Sequence, residues 1–209
     1  MTGTVDLDPQ LAAVVRPASA CLPSVRVAAL EERLDGPLAQ AAVRMREASD
    51  VAAVIAAVRT MYKRVGLDPT KTRPSSEALL RRVRKGQPVP RISSLVDVIN
   101  WCSLESQLPF GLYDADRLQG QVTLRIGRPG EAYAGIRKDE VHVEGRLVLS
   151  DALGPFGNPT SDSARTTVTE DTASALVVIF APAELEAAIV SAALTLTLDR
   201  ARTYCSREG

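Results

Sequence analysis

Residues Ser93–Asp116 read SSLVDVINWCSLESQLPFGLYDAD, and this stretch decides the fold. Leu95, Val96, Val98, Ile99, Trp101, Cys102 and Leu104 give a helix that is apolar on nearly every side, hence a buried one. Asp97 and Asn100 stand three apart on one face of it, and buried polar groups need partners. For Asp97 the spacing predicts a cap: Ser94 caps the start, and Asp97, at the third helical position, reaches back to the free amides. Asn100 sits nearly a turn further in, where Asn is a poor helix former. Its amide either ties down a neighbouring strand or loop, or faces a ligand.

On the C-terminal side the pattern turns to strands. Leu108–Tyr113, Val122–Ile126, Glu140–Val143, Arg146–Ser150 and Ala175–Phe180 are short runs of strand formers separated by Gly or Asp. Gly127–Gly130, GRPG, is a turn between two of them. Pro182 then precedes a final helix of about 20 residues through Leu185, Ile189, Ala192 and Leu196.

On the N-terminal side, Val25–Leu30 predicts a first strand, and Gly36-Pro37 opens a helical stretch to about Arg64 that the polar residues Glu47–Asp50 split in two. A short helix is expected from Ser75 or Ser76, whose hydroxyls cap it, with Leu79, Leu80 and Val83 facing inward and Gly86 ending it. Helices at both ends with strands between predict an α/β or α+β fold, a mixed sheet flanked by helices. Residues 1–209 are expected to form one domain: an N-terminal strand and helices to 66, a core over 67–182, and a C-terminal helix over 183–209.

Composition narrows the function. No run approaches the ~20 apolar residues of a membrane span, and the opening MTGTVDLDPQ carries acids in place of a secretion signal, so a soluble cytoplasmic protein is expected. Cys21, Cys102 and Cys205 form no CxxC pair and read as reduced thiols. No metal-ligand cluster or Walker-type phosphate loop occurs, so neither metal nor cofactor is called for. His142, the only histidine, alternates with Val141 and Val143 and points to solvent. No GxSxG turn is present and Cys102 lies inside the apolar helix, which leaves positioned water and backbone donors for any hydrolysis.

The formal charge is zero, yet Arg59–Arg91 holds ten basic residues against Asp68 and Glu77, a local +8. It is either a phosphate-facing patch, with Arg73, Arg81, Arg82, Arg84 and Lys85 binding RNA, or a solvated basic helix whose last turn complements its own dipole.

The run Ser93–Tyr133 resembles the B3/B4 editing domain of the phenylalanyl-tRNA synthetase beta subunit. Val96, Asp97, Asn100, Leu104, Glu105, Pro109, Asp114, Asp116, Arg125, Gly130 and Glu131 fit its pattern, and TRPSSEALLRRV extends the match, so that it covers about Asp68–Pro182. The resemblance implies a domain that hydrolyses the ester of a wrongly charged amino acid, mainly tyrosine, on the phenylalanine tRNA. It further implies a substrate pocket with Ile99, Asn100, Gly111, Leu112, Tyr113 and Asp114 on one wall. The other wall is the Gly154–Thr172 segment, contributing Gly154, Pro155, Phe156, Gly157, Thr160 and Ser161, then Asp162, Ser163, Arg165 and Thr166. Gly and Pro there expose amides to an ester oxygen, and Arg165 suits a carboxylate or phosphate; the same composition also fits a surface loop.

The family's Thr before the matched Asn is Ile99 here, its pocket His is Gly111, and its tyrosine-reading Glu falls near Val178. A tyrosine hydroxyl left unpaired there costs roughly 1–3 kcal/mol. Two functions follow from the resemblance: an aminoacyl-tRNA deacylase acting in trans, or an amino-acid-like or small-molecule binding or metabolic protein that keeps the pocket without tRNA.

Overall fold

The computed structural model describes residues 3–136 and 140–207. The Ser93–Asp116 stretch is a helix followed by a strand, α4 (Ser94–Ser106) and β3 (Phe110–Asp114). Leu95, Val98, Ile99, Trp101, Cys102 and Leu104 are all buried, as an internal helix requires. Gln107 ends α4 in the left-handed region at φ 57°, and Pro109 keeps the next residues extended, so β3 starts two residues later than the apolar run.

β3 pairs antiparallel with β10 (Ala175–Pro182), and β10 pairs on its other edge with β2 (Val15–Leu22), giving a three-stranded sheet in the order β2-β10-β3. All eight residues of β10 are buried, as expected of a central strand covered on both faces. α5 (Ala187–Cys205) packs on β2 and β10, and α4 lies against β3, α5 and α3 (Ser75–Arg84).

A second sheet runs β1-β4-β7-β8-β9, built from Val5–Leu7, Val122–Ile126, Leu147–Asp151, Gly154–Asn158 and Ser161–Asp162. Its β1–β4 pair is parallel and the others antiparallel. A two-stranded ribbon, β5 (Ala132–Tyr133) with β6 (Val141–His142), adjoins it. The protein is therefore α+β with mixed sheets, as the sequence predicts. No helix among the described residues is long and apolar enough to cross a membrane.

The N-terminal helical stretch splits as expected into α1 (Asp35–Glu47) and α2 (Ala52–Arg64), with Ala48 extended between them. Three expectations are corrected. Val25–Leu30 is a strap, not a strand. Val25 N–H and Arg26 N–H donate to the carbonyls of Ala173 and Cys205, and Ala28 exchanges hydrogen bonds with Ser94, so its backbone is satisfied by loops and helix ends. The N-terminal strands are β1 and β2 instead.

The serine caps also fail. Ser94 Oγ accepts from Ala28 N–H at 3.0 Å, and α4 has no side-chain cap; α3 begins after Pro74 with none either. Asp97 does reach back, but to Ile92 N–H at 2.7 Å and Arg91 Nε at 2.7 Å, ahead of the helix. Finally, Gly154–Thr172 is no structureless loop, because it carries β8 and β9 before a turn-rich segment to Thr172.

Candidate functional site

Between α4, β3, β9 and the 167–170 segment lies a cavity of about 670 Å³. Its apolar wall comes from Val96 and Ile99 of α4, Phe110 and Leu112 of β3, Ile92, Val27, Ile136 and Val168. Half of its twenty lining residues are polar. Ser103 Oγ donates to Leu108 O at 2.7 Å, and Thr160 Oγ1 donates to Asn158 Oδ1 at 2.8 Å. The same Asn158 oxygen accepts from Thr160 and Ser161 N–H, which fixes the turn that delivers β9 to the cavity.

Asn100 is half-buried and its amide makes no hydrogen bond among the described residues. It lines the cavity and also a second recess of about 510 Å³, formed with Arg73, Arg81, Arg82, Lys85, Gln87 and Pro90. Ser75 and Ile92 line both as well. Hence the cavity adjoins a cationic recess, and Asn100 stands between them.

The other chemistry-bearing group is Asp162 of β9. Its Oδ1 is buried without a hydrogen-bond partner, and burial pushes its carboxyl up to about 7. Tyr113 faces it and offsets part of that rise, though Tyr113 Oη also finds no partner.

Of the residues expected in the pocket, Ile99, Asn100, Leu112, Thr160, Ser161 and Asp162 line this cavity. The remainder hold its walls. Gly111 and Tyr113 point to the opposite face of β3 from Phe110 and Leu112, as strand alternation dictates. The Tyr113 ring lies between Gly111 and Gly157: a Cβ at either would come within 2.3 or 2.4 Å of it. Phe156 packs edge-on against Tyr113 with centroids 5.0 Å apart.

Val178 pairs with Gly111 and shares that filled face, so neither position implied to read tyrosine looks into the cavity. Asp114 is tied up at both oxygens, accepting from Asp116 N–H and Thr172 Oγ1. Ser163 and Thr166 bond each other at 2.9 Å, and Gly154 and Pro155 pair with Asp151 and Ser150 of β7. Arg165 is bound to Asp151 at 2.9 and 3.0 Å and to Arg117 O, beyond reach of a cavity ligand.

In the basic stretch, Arg59 and Arg73 share Glu77, Arg82 Nε donates to Pro88 O, and Arg84 donates to Ala48 O. Arg81 and Lys85 are exposed with no partner among the described residues. Sequence reasoning missed Val27, Ile92, Val96 and Phe110 in the cavity wall; the alternation of β3 alone marks Phe110 as the partner of Leu112. His142 is exposed beside Glu140, and burial raises the Cys102 thiol, so neither supplies a nucleophilic pair here.

The family described as the B3/4 domain matches residues 57–204. The phenylalanine–tRNA ligase beta subunit of Ralstonia nicotianae is 38% identical over 61 residues, which is 29% of this chain and 8% of that protein. That of Dechloromonas aromatica is 32% identical over 84 residues, 40% of this chain and 10% of that protein. The chain thus spans about a tenth of these relatives. A solved N-terminal fragment of the phenylalanyl-tRNA synthetase beta-subunit from Pyrococcus horikoshii aligns with a TM-score of 0.49 and 14% identity, covering 94% of this chain and 47% of that one.

Proposed function

Because the chain belongs to the B3/4 domain family, we propose that it binds a mischarged aminoacyl-tRNA and hydrolyses the aminoacyl ester in trans. One observation carries this reading: the apolar cavity and the cationic recess share Ser75, Ile92 and Asn100. An aminoacyl-tRNA end has the same two halves. Its phosphates suit Arg73, Arg81, Arg82 and Lys85, while its amino-acid side chain suits the wall of Val96, Ile99, Phe110 and Leu112. The ester then falls at Asn100, whose amide can donate to the carbonyl oxygen and orient it.

Hydrolysis adds water to that carbonyl and releases the ribose oxygen. Orientation and the exclusion of bulk water supply the acceleration, in keeping with a site that has no nucleophilic pair. A substrate of this kind places the reaction in the cytoplasm. Tyrosine is not the amino acid favoured, since Gly111 and Val178 lie on the face that Tyr113 fills.

The test is a panel of mischarged tRNAs incubated with the protein. Release above background with at least one is expected, and none with any overturns the reading. Neutralising Arg81 and Lys85 is expected to weaken tRNA binding and lower its salt slope by roughly 1.4, about 0.7 for each single-strand phosphate that is no longer neutralised.

A second reading, an amino-acid-like ligand bound without tRNA, is favoured by the internal engagement of Arg73, Arg82 and Arg84. Unchanged tRNA affinity in the Arg81 and Lys85 variant selects it.

A further inference from the structure

The β2-β10-β3 sheet ends in a strand edge that opens on the cavity. Phe180 N–H donates to Pro109 O and Ala115 N–H donates to Ser174 O, so the odd-numbered residues of β3 carry its ladder to β10. The N–H and C=O groups of Phe110, Leu112 and Asp114 therefore point to the other edge. Asp114 N–H bears this out, because it donates to Thr166 O at 2.9 Å. There the pairing stops. Thr169 N–H turns away to Thr172 Oγ1, and the edge-facing groups of Phe110 and Leu112 have no partner among the described residues. Both residues line the cavity from one side, and Thr167, Val168 and Thr169 line it from the other.

This edge is set among apolar side chains, and Phe110 is only 9% exposed, so solvent serves its amides poorly. The matching groups of Phe110 and Leu112 lie roughly 7 Å apart along the strand, two residues at the strand repeat. A single amino-acid unit meets only one of them; meeting both takes residues two apart, joined by peptide bonds. The charge beside the cavity fixes a second feature, since the recess of Arg73, Arg81, Arg82 and Lys85 suits a carboxylate.

We propose that the cavity binds the carboxyl-terminal end of an extended peptide, which adds to the open edge of β3 as the fourth strand of that sheet. Main-chain hydrogen bonds to Phe110 and Leu112 hold it, alternate side chains enter the lining of Val96, Ile99 and Val168, and its carboxylate meets the recess. Such a ligand is distinct from the aminoacyl ester above, so its binding stands or falls apart from deacylation.

The test uses the full chain and synthetic peptides in calorimetric titrations, with no tRNA present. Acetyl-Leu-Ser-Leu with a free carboxylate is expected to bind about tenfold more tightly than acetyl-leucine and about threefold more tightly than its own C-terminal amide. N-methylation separates strand addition from simple filling of an apolar space. Methylated one at a time, the Ser amide and the amide of the last Leu are expected to differ: one loses about tenfold in affinity and the other stays within about twofold, because only alternate amides face β3. Leu112→Pro deletes the edge-facing N–H without touching the ladder to β10, and is expected to bind the peptide about tenfold more weakly than Leu112→Ala. No saturable binding, equal affinity for the tripeptide and acetyl-leucine or for the acid and the amide, equal losses at the two amides, or equal affinity of the two Leu112 variants overturns the proposal. Should Leu112→Pro not fold, the methylation series on the unaltered protein decides.

Discussion

Asp97 is fully buried, and its two oxygens do different jobs. Oδ2 holds Arg91, which also donates to Glu31 O at 2.7 Å and pairs with Asp35 at the start of α1; Oδ1 holds Ile92 N–H. Asp97→Ala strands a mostly buried guanidinium and an amide together, and urea denaturation should show a loss of about 3–5 kcal/mol. Asp97→Asn keeps an acceptor for Ile92 and should cost less, about 1–3 kcal/mol. Asp162 has the opposite sign. Its folded value near 7 lies above the unfolded value near 4, so the native state holds the extra proton between them, and stability falls as pH rises through that window. Asp162→Asn should therefore match the parent at pH 4 and exceed it at pH 8 by on the order of 4 kcal/mol, read as the difference in urea midpoints at the two pH values.

At the level of elements, β3 and β8 meet through Tyr113. Gly111 and Gly157 leave the space its ring occupies, so Gly111→Ala forces a Cβ against the phenol and should cost about 2–3 kcal/mol. Tyr113→Phe removes a buried hydroxyl that has no partner and should be neutral or stabilising by up to about 1 kcal/mol. Thermal melts of the two variants measure both. The packing around Tyr113 also explains what was legible in the sequence. α4, β4, β7 and β10 announce themselves because their apolar residues follow helical or strand spacing within short range. β8 and β9 are hidden: GPFGNPTSD has turn composition, and it forms strands because β8 folds back on β7 while Gly157 makes room for the ring of Tyr113, distant in sequence. β2, VRPASACL, is similarly weak in strand formers and owes its conformation to the edge of β10. Val25–Leu30 misleads in the reverse direction, having strand composition while its backbone bonds to Ala173, Cys205 and Ser94 instead of to a sheet. At the cavity, strand parity separates Leu112 from Gly111, whereas only the fold reveals that Arg165 is consumed by Asp151.

Across the whole molecule, the residues outside the family match are structural parts of the same sheets. β2 pairs with every residue of β10, β1 pairs with β4, and Leu34, Leu38 and Met45 of the first helical turns are buried in the main core. Glu105 of α4 joins Arg44 of α1 at 2.5 Å to Arg200 of α5 at 2.6 Å, and Arg200 stacks 3.6 Å over the Trp101 ring. We propose that residues 1–209 are one cooperative unit; of these, 1–2, 137–139 and 208–209 lie outside the described residues. The tryptophan at 101 is the only one in the chain and sits where α4 meets α5, so its fluorescence reports tertiary packing while far-ultraviolet circular dichroism reports the helices. The two signals should lose structure in a single coincident transition in urea. A chain cut back to 57–204 exposes the edge of β10 along its full length and removes Arg44, one of the two partners of Glu105, so it should show no cooperative transition and should associate through the bared strand. Two separated transitions in the full chain, or a stable monomeric 57–204 fragment, would mean that the B3/4 core folds by itself and that β1, β2 and α1 are an addition to it.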